Sequence, residues 1–146
     1  MNNNIDLEKA QALLCDGYTC VLCKAGKVYT SQETGIRPMV SFLSDGVDLK
    51  GFSAADKIVG KAAAMLFVLA GVVSVYAPVM SAAAVEYFRR NHVQYAYDEL
   101  TDAIINRQGN GLCPMEQAVH DLNDPAAAFL AVKLALRALS GRKERS

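Results

Sequence analysis

Residues 51–81 read GFSAADKIVGKAAAMLFVLAGVVSVYAPVMS, and set a helix signal, a glycine and a strand signal in close succession. Ser53 has the chemistry of an N-cap, and Asp56 stands three residues later, where a capping-box acid belongs. Ile58, Ala62, Met65, Leu66 and Leu69 recur at helical spacing and predict a helix from Ser53 with one apolar face. Gly71 is the natural stop. Val72, Val73, Val75 and Tyr76 form a short β-rich run suited to a central strand, and Pro78 ends it. A helix followed directly by a buried strand predicts an α/β domain.

Lys57 and Lys61 sit awkwardly in that reading. Four residues apart on the predicted helix, they share a face, where like charges cost roughly a few tenths of a kcal/mol. They also lie in the first turns, where the helix dipole disfavours cations. The pair calls for an anion: a phosphate, a carboxylate or a buried acid of the protein itself. The plain alternative is two lysines reaching water from a partly buried helix.

Composition narrows the classes. The 146 residues, 52% of them hydrophobic, suit a single domain over 1–146, with a core over about 5–140 and a charged tail at 141–146. Fifteen basic residues balance fifteen acidic ones, which argues against a nucleic-acid partner. Residues 62–85 carry no charge, but Gly71, the switch to β-branched residues, Pro78 and Ser81 argue against a membrane helix. The start, MNNNIDLEKAQ, is polar, so a cytoplasmic location is expected. Cysteines stand at 15, 20, 23 and 113. Cys20 and Cys23 lie in the alternating run YTCVLCK and should point to opposite faces of a strand, so neither a metal knuckle nor a disulfide is expected.

The remaining elements follow from local signals. A helix is predicted over 5–16, stopped by Gly17, then a hairpin of 18–24 and 27–31 around Ala25-Gly26. Thr34, Gly35 and Arg37 form a loop, and Pro38 opens a short helix ending near Asp45-Gly46. Ser81 caps a helix to about Asn91, with Arg89 and Arg90 in its last turn. Strands are predicted at Val93–Tyr97 and, as a short edge, near Ile104-Ile105. Asp98 and Glu99 read as solvated loop acids or as partners of the lysines. Asp124-Pro125 begins the final helix.

The second informative block is 107–116, RQGNGLCPME. Pro114 suits the first position of a helix, which makes Cys113 its N-cap, with Glu116 three residues on. First-turn N–H groups aimed at the sulfur would favour the thiolate, and Gly109 and Gly111, beside Arg107, would form an anion-binding nest. An ordinary cap or a buried thiol is the alternative. His92 and His120 read as structural.

FSAADKIVGKAAA at 52–64, YAPVMS at 76–81 and NRQGNGLCPMEQAV at 106–119 resemble blocks of domain-of-unknown-function family 1893, over about residues 5–140. The resemblance implies a cytidine-deaminase-like fold, a three-layer α/β/α sandwich with a mixed five-stranded sheet. It implies no reaction. Zinc deaminases carry H-x-E and P-C-x-x-C at two helix starts. Here Ala55-Asp56-Lys57 and Pro78-Val79-Met80-Ser81-Ala82 stand at those places, so no metal and no other cofactor is expected.

Two functions remain. In the first, a small-molecule-binding protein or zinc-independent enzyme takes an anionic, nucleotide-like ligand. Lys57 and Lys61 hold the anion, Cys113 is nucleophile or contact, and Ser53, Asp56, Pro78, Ser81, Arg107, Gly109 and Gly111 shape the site. In the second, the chain is a non-enzymatic regulatory or protein-interaction module, with homo-oligomerisation open.

Overall fold

The computed structural model describes residues 3–105, 109 and 111–145. After α1 (Asn3–Leu14) the chain forms a tight hairpin of β1 (Cys20–Lys24) and β2 (Lys27–Ser31). Ala25 and Gly26 make the two-residue turn at φ 48° and 91°, the left-handed geometry that matches the twist of paired strands. Then follow α2 (Arg37–Ser44), β3 (Ser53–Asp56), β4 (Ile58–Val59), α3 (Lys61–Ala70), β5 (Ser74–Ser81) and α4 (Ala82–Arg90). The chain continues through β6 (Gln94–Thr101), α5 (Pro114–Val119) and α6 (Pro125–Arg145).

β1 pairs antiparallel with β2 and with β3, whereas β5 runs parallel to β3, β4 and β6. Six strands fill five positions, because β3 and β4 lie end to end on the same side of β5. Ala55 is opposite Tyr76 and Ile58 is opposite Val79, so the interruption at Lys57 faces Pro78. Proline has no N–H to give a ladder, and within sheets it is confined to edges and irregular positions. β5 therefore runs through Pro78 to Ser81, where the sequence predicts a stop.

The layers follow the alternation of side chains. On one face α1 is the only helix among the described residues, with Ala10 and Leu14 packed on Val21, Cys23 and Ala55. On the other, α2 to α6 gather around α3 and bury Phe67, Leu66, Met65, Met80 and Phe88. Cys20 belongs to this second core and Cys23 to the first, as their spacing predicts. The expected three-layer α/β/α architecture with a mixed sheet is the one observed. The uncharged run from 62 divides into α3, β5 and the start of α4, and no helix among the described residues is long and apolar enough to cross a membrane.

The largest departure is the start of the central helix. Ser53 to Asp56 is a strand, and α3 begins at Lys61. Ala54 and Ala55 favour helix in isolation, but both are fully buried between β1 and β5. Pairing with non-local neighbours overrides that intrinsic preference. Gly71, at φ 83°, ends α3 as expected. β6 is longer than predicted, and Ile105 makes only an isolated bridge to Leu112. The backbone of α6 continues through the segment predicted as a tail.

Candidate functional site

The ends of β5 and β6, the first turns of α3 and α4 and the segment around α5 border an open hollow of about 170 Å³. Lys61, Ser81, Ala83, Asp102, Ala103, Leu112, Glu116 and His120 line it. Ser81 ends β5 and caps α4, its hydroxyl accepting from Ala84 N at 3.1 Å. That satisfies one of the amides that the first turn of a helix leaves without an internal partner.

At α3 the cap comes from elsewhere in the chain. Gly60 occupies the N-cap position and has no side chain to offer. Glu116 of α5 supplies the carboxylate: Oε1 accepts from Lys61 N at 2.7 Å and Oε2 from Ala62 N at 2.8 Å. A bidentate carboxylate on the positive end of a helix forms charge-assisted bonds and suits the dipole. The close approach depends on Gly60, because a Cβ there would lie 2.3 Å from Glu116 Oε1 and 2.8 Å from Ile104 Cγ1. At this helix start the amides are thus met by an acid of the protein itself, while the Lys61 ammonium makes no ion pair among the described residues. Glu116 was visible in the sequence only as a cap of its own helix. The signal for its actual role is that Lys61–Ala70 has a glycine where a capping side chain belongs.

The two lysines part company, contrary to the shared helix face expected of them. Lys57 lies between β3 and β4, and its Nζ donates to Leu14 O at 3.4 Å, at the C-terminal end of α1. A cation suits that negative helix end. Lys61 is the first residue of α3, and its Nζ donates to His120 O at 3.0 Å on the other side of the sheet. Asp98 accepts from the Tyr76 hydroxyl at 2.5 Å, a bond that pushes that hydroxyl up to about 12, and neither lysine reaches it. Asp98 and Glu99 are strand residues, not loop acids.

Ser53 and Asp56 are buried strand residues rather than helix caps. Ser74 Oγ donates to Ser53 Oγ at 2.7 Å. Asp56 is 6% exposed, and burial holds its carboxyl well above the usual carboxylate range, against the pull of Lys57 N, which donates to Oδ1 at 2.8 Å. Cys20 lies opposite it in the ladder, and burial, with the charge of Asp56, pushes that thiol up. Pro78 lies within β5 and does not line the hollow.

Cys113 is the N-cap residue of α5, as predicted, but its side chain makes no capping bond. Its N–H donates to Ile104 O at 2.9 Å, the sulfur is partly buried against the main core, and the residue does not line the hollow. Gly109 is exposed at φ 75°, and Gly111 is half-buried. Arg107 lies outside the described residues. Of the residues singled out in the sequence, the structure brings Lys61 and Ser81 together. Glu116, His120 and Asp102 join them, though the sequence points to none of the three as a ligand contact.

A second hollow of about 130 Å³ adjoins the first, lined by Lys61, Ala83, Glu86, Tyr87, Arg90 and Asn123. Lys61 and Ala83 border both, which puts the lysine side chain beside the first turn of α4. Among the described residues no three of His, Cys, Asp and Glu are grouped as metal ligands would be.

Comparison with curated proteins finds no match. A solved DUF1893 family protein of Thermotoga maritima is similar at 24% identity and a TM-score of 0.78, over 94% of this chain and 92% of that one. A Thermotoga maritima diaminohydroxyphosphoribosylaminopyrimidine deaminase/5-amino-6-(5-phosphoribosylamino)uracil reductase gives 15% identity and a TM-score of 0.41, over 66% of this chain and 36% of that one. The dCMP deaminase of cyanophage S-TIM5 gives 11% and 0.42, over 68% and 96%. The profile described as Domain of unknown function (DUF1893) matches residues 9–136. That match spans most of the sequence, and the chain belongs to the DUF1893 family.

Proposed function

We propose that this chain binds a small molecule bearing a phosphate or carboxylate in the paired hollows between α3 and α4, without zinc. The observation that carries the reading is the setting of Lys61. Its Nζ is held by a neutral carbonyl, that of His120, and among the described residues it makes no ion pair. It borders both hollows beside Ala83, in the first turn of α4, where unpartnered amides and the helix dipole favour negative charge. Glu116 already takes the amides of α3, so the ligand's anion belongs on the α4 side, next to Lys61 and Ser81. Hollows of this size suit a small ligand or the charged end of a larger one. A nucleotide-like molecule fits that description if its base lies outside.

Binding has more support than catalysis. Cys113, the candidate nucleophile, is packed away from the hollow, and Lys57 is engaged with α1 on the far face. The four cysteines are unpaired, in keeping with a reducing cytoplasm.

A thermal-shift screen against nucleotides, sugar phosphates and dicarboxylates tests this. A ligand at about a hundred times its Kd stabilises by roughly 2.7 kcal/mol. Lys61→Ala is expected to abolish the shift and Lys57→Ala to preserve it. A screen with no shift, or a hit equally strong in Lys61→Ala, overturns the reading.

A further inference from the structure

The two edges of the sheet are built differently. β2 is five residues long and begins with Lys27, a charge of the kind that discourages edge pairing. β6 has eight residues, no proline, glycine or lysine, and pairs parallel with β5 from Gln94 to Thr101, on both sides of Asp98. Among the described residues no other strand pairs with β6. Gln94 N donates to Val73 O, toward β5, so the alternate residues Tyr95, Tyr97 and Glu99 turn their N–H and C=O groups outward. Tyr95, Tyr97 and Leu100 are exposed on this strand. A long edge with open backbone groups and exposed tyrosines, its charges Asp98 and Glu99 confined to the second half, is a template for another strand.

We propose that β6 pairs antiparallel with β6 of a second copy of this chain, forming a two-fold dimer with one continuous sheet. Charge selects the occupant. Arg89, Arg90 and His92 stand at the N-terminal end of β6, with Glu86 bridging both arginines and offsetting one of their two charges, while Asp98, Glu99 and Asp102 lie toward its C-terminal end. Antiparallel self-pairing sets the basic end of each copy against the acidic end of the other. A two-fold axis normal to the sheet keeps each face on its own side, so opposed residues are of the same parity. A register centred on Asp98 would place that acid against itself. Centring on Tyr97 opposes Tyr97 to Tyr97, Tyr95 to Glu99, Gln94 to Leu100 and His92 to Asp102, with no like charges directly across. It also makes the outward-facing residues Tyr95, Tyr97 and Glu99 the hydrogen-bonded pairs.

Sedimentation of the full chain over a range of concentrations tests the proposal. The wild type is expected at twice the mass of the 15.7 kDa chain. Tyr97→Lys, which sets two ammonium groups across the axis, is expected to weaken the dimer by about tenfold or more. Tyr97 is exposed and its N–H faces away from β5, so the substituted chain should keep its cooperative melt. Tyr97→Cys in a Cys15→Ser background gives an independent reading. Hydrogen-bonded antiparallel pairs hold their Cα atoms about 5.5 Å apart, within disulfide range, so a reducible dimer is expected on oxidation. A wild type that stays monomeric overturns the proposal, whatever else binds the edge. So does a dimer that withstands Tyr97→Lys and forms no cross-link through Tyr97→Cys.

Discussion

Gly60→Ala is expected to destabilise the fold by about 3 kcal/mol, the sum of overpacking and of weakened charge-assisted bonds. Gly60 has φ −101°, which any residue adopts, so the backbone is not strained by the change. The effect comes entirely from contact. The new methyl group would lie 2.3 Å from Glu116 Oε1, 2.7 Å from its Cδ and 2.8 Å from Ile104 Cγ1. A carboxylate at the end of a glutamate would ordinarily move aside. Here both oxygens are bonded to the amides of Lys61 and Ala62, and withdrawal leaves the start of α3 without its cap. α3 is the hub of the larger core, so its first turn cannot shift without disturbing Ala62, Ala63 and Met65, all buried. In a chain of this size 1 kcal/mol moves Tm by about 2–4 °C, so a fall of roughly 6–12 °C is expected in a thermal melt. Glu116→Ala should destabilise as well, but it removes two of the three close contacts. The double substitution should therefore fall short of the sum by about 1 kcal/mol or more. Strict additivity in that cycle would refute the Gly60–Glu116 contact as the cause.

The legible parts of this fold are those in which a residue answers to its immediate neighbours. Gly71 ends α3, Ala25-Gly26 turns the hairpin, Ser81 caps α4 and Pro114 opens α5. Each depends on backbone geometry within a few residues. Ser53-x-x-Asp56 carries the same local signature as a capping box, and Ala54 and Ala55 are good helix formers. Only the presence of β1 on one side and β5 on the other makes the segment a strand. The grouping of the candidate residues was less legible for a related reason. Glu116 caps a helix that begins 55 residues before it, and no spacing rule links the two. The dipole argument for an anion holds at the start of α3, where Glu116 meets the amides, but the lysine pair from which it was read is split between two faces of the sheet. Lys57 misled because its place on a helix was inferred from the same false cap. Once that segment is a strand, the lysine turns to the open carbonyl end of α1 instead.

Asp56→Asn is expected to stabilise the protein at neutral pH, by about 2–4 °C in Tm or more, which corresponds to about 1 kcal/mol. Asp56 is 6% exposed, and burial raises its carboxyl well above its ordinary value of 3.8, which serves for the unfolded chain. Between 3.8 and the raised native value, the folded state holds a proton that the unfolded state has released. Stability changes with pH as protons bound unfolded minus protons bound folded, and that difference is negative here. This group therefore lowers stability as pH rises through the window, and contributes no further change above its native pKa. Asparagine has no proton to lose, and its Oδ1 can keep the bond from Lys57 N. The wild type and the variant should differ most at pH 7 and converge as the pH falls toward 4, in melts recorded across that range. An Asp56→Asn chain less stable than the wild type at pH 7, by a margin independent of pH, would mean that the carboxylate is charged and paired in the native state. The strand end at Asp56 would then be an ionic site, whereas the geometry of β3, with Cys20 opposite and Ala54 and Ala55 before it, makes it part of a dry core.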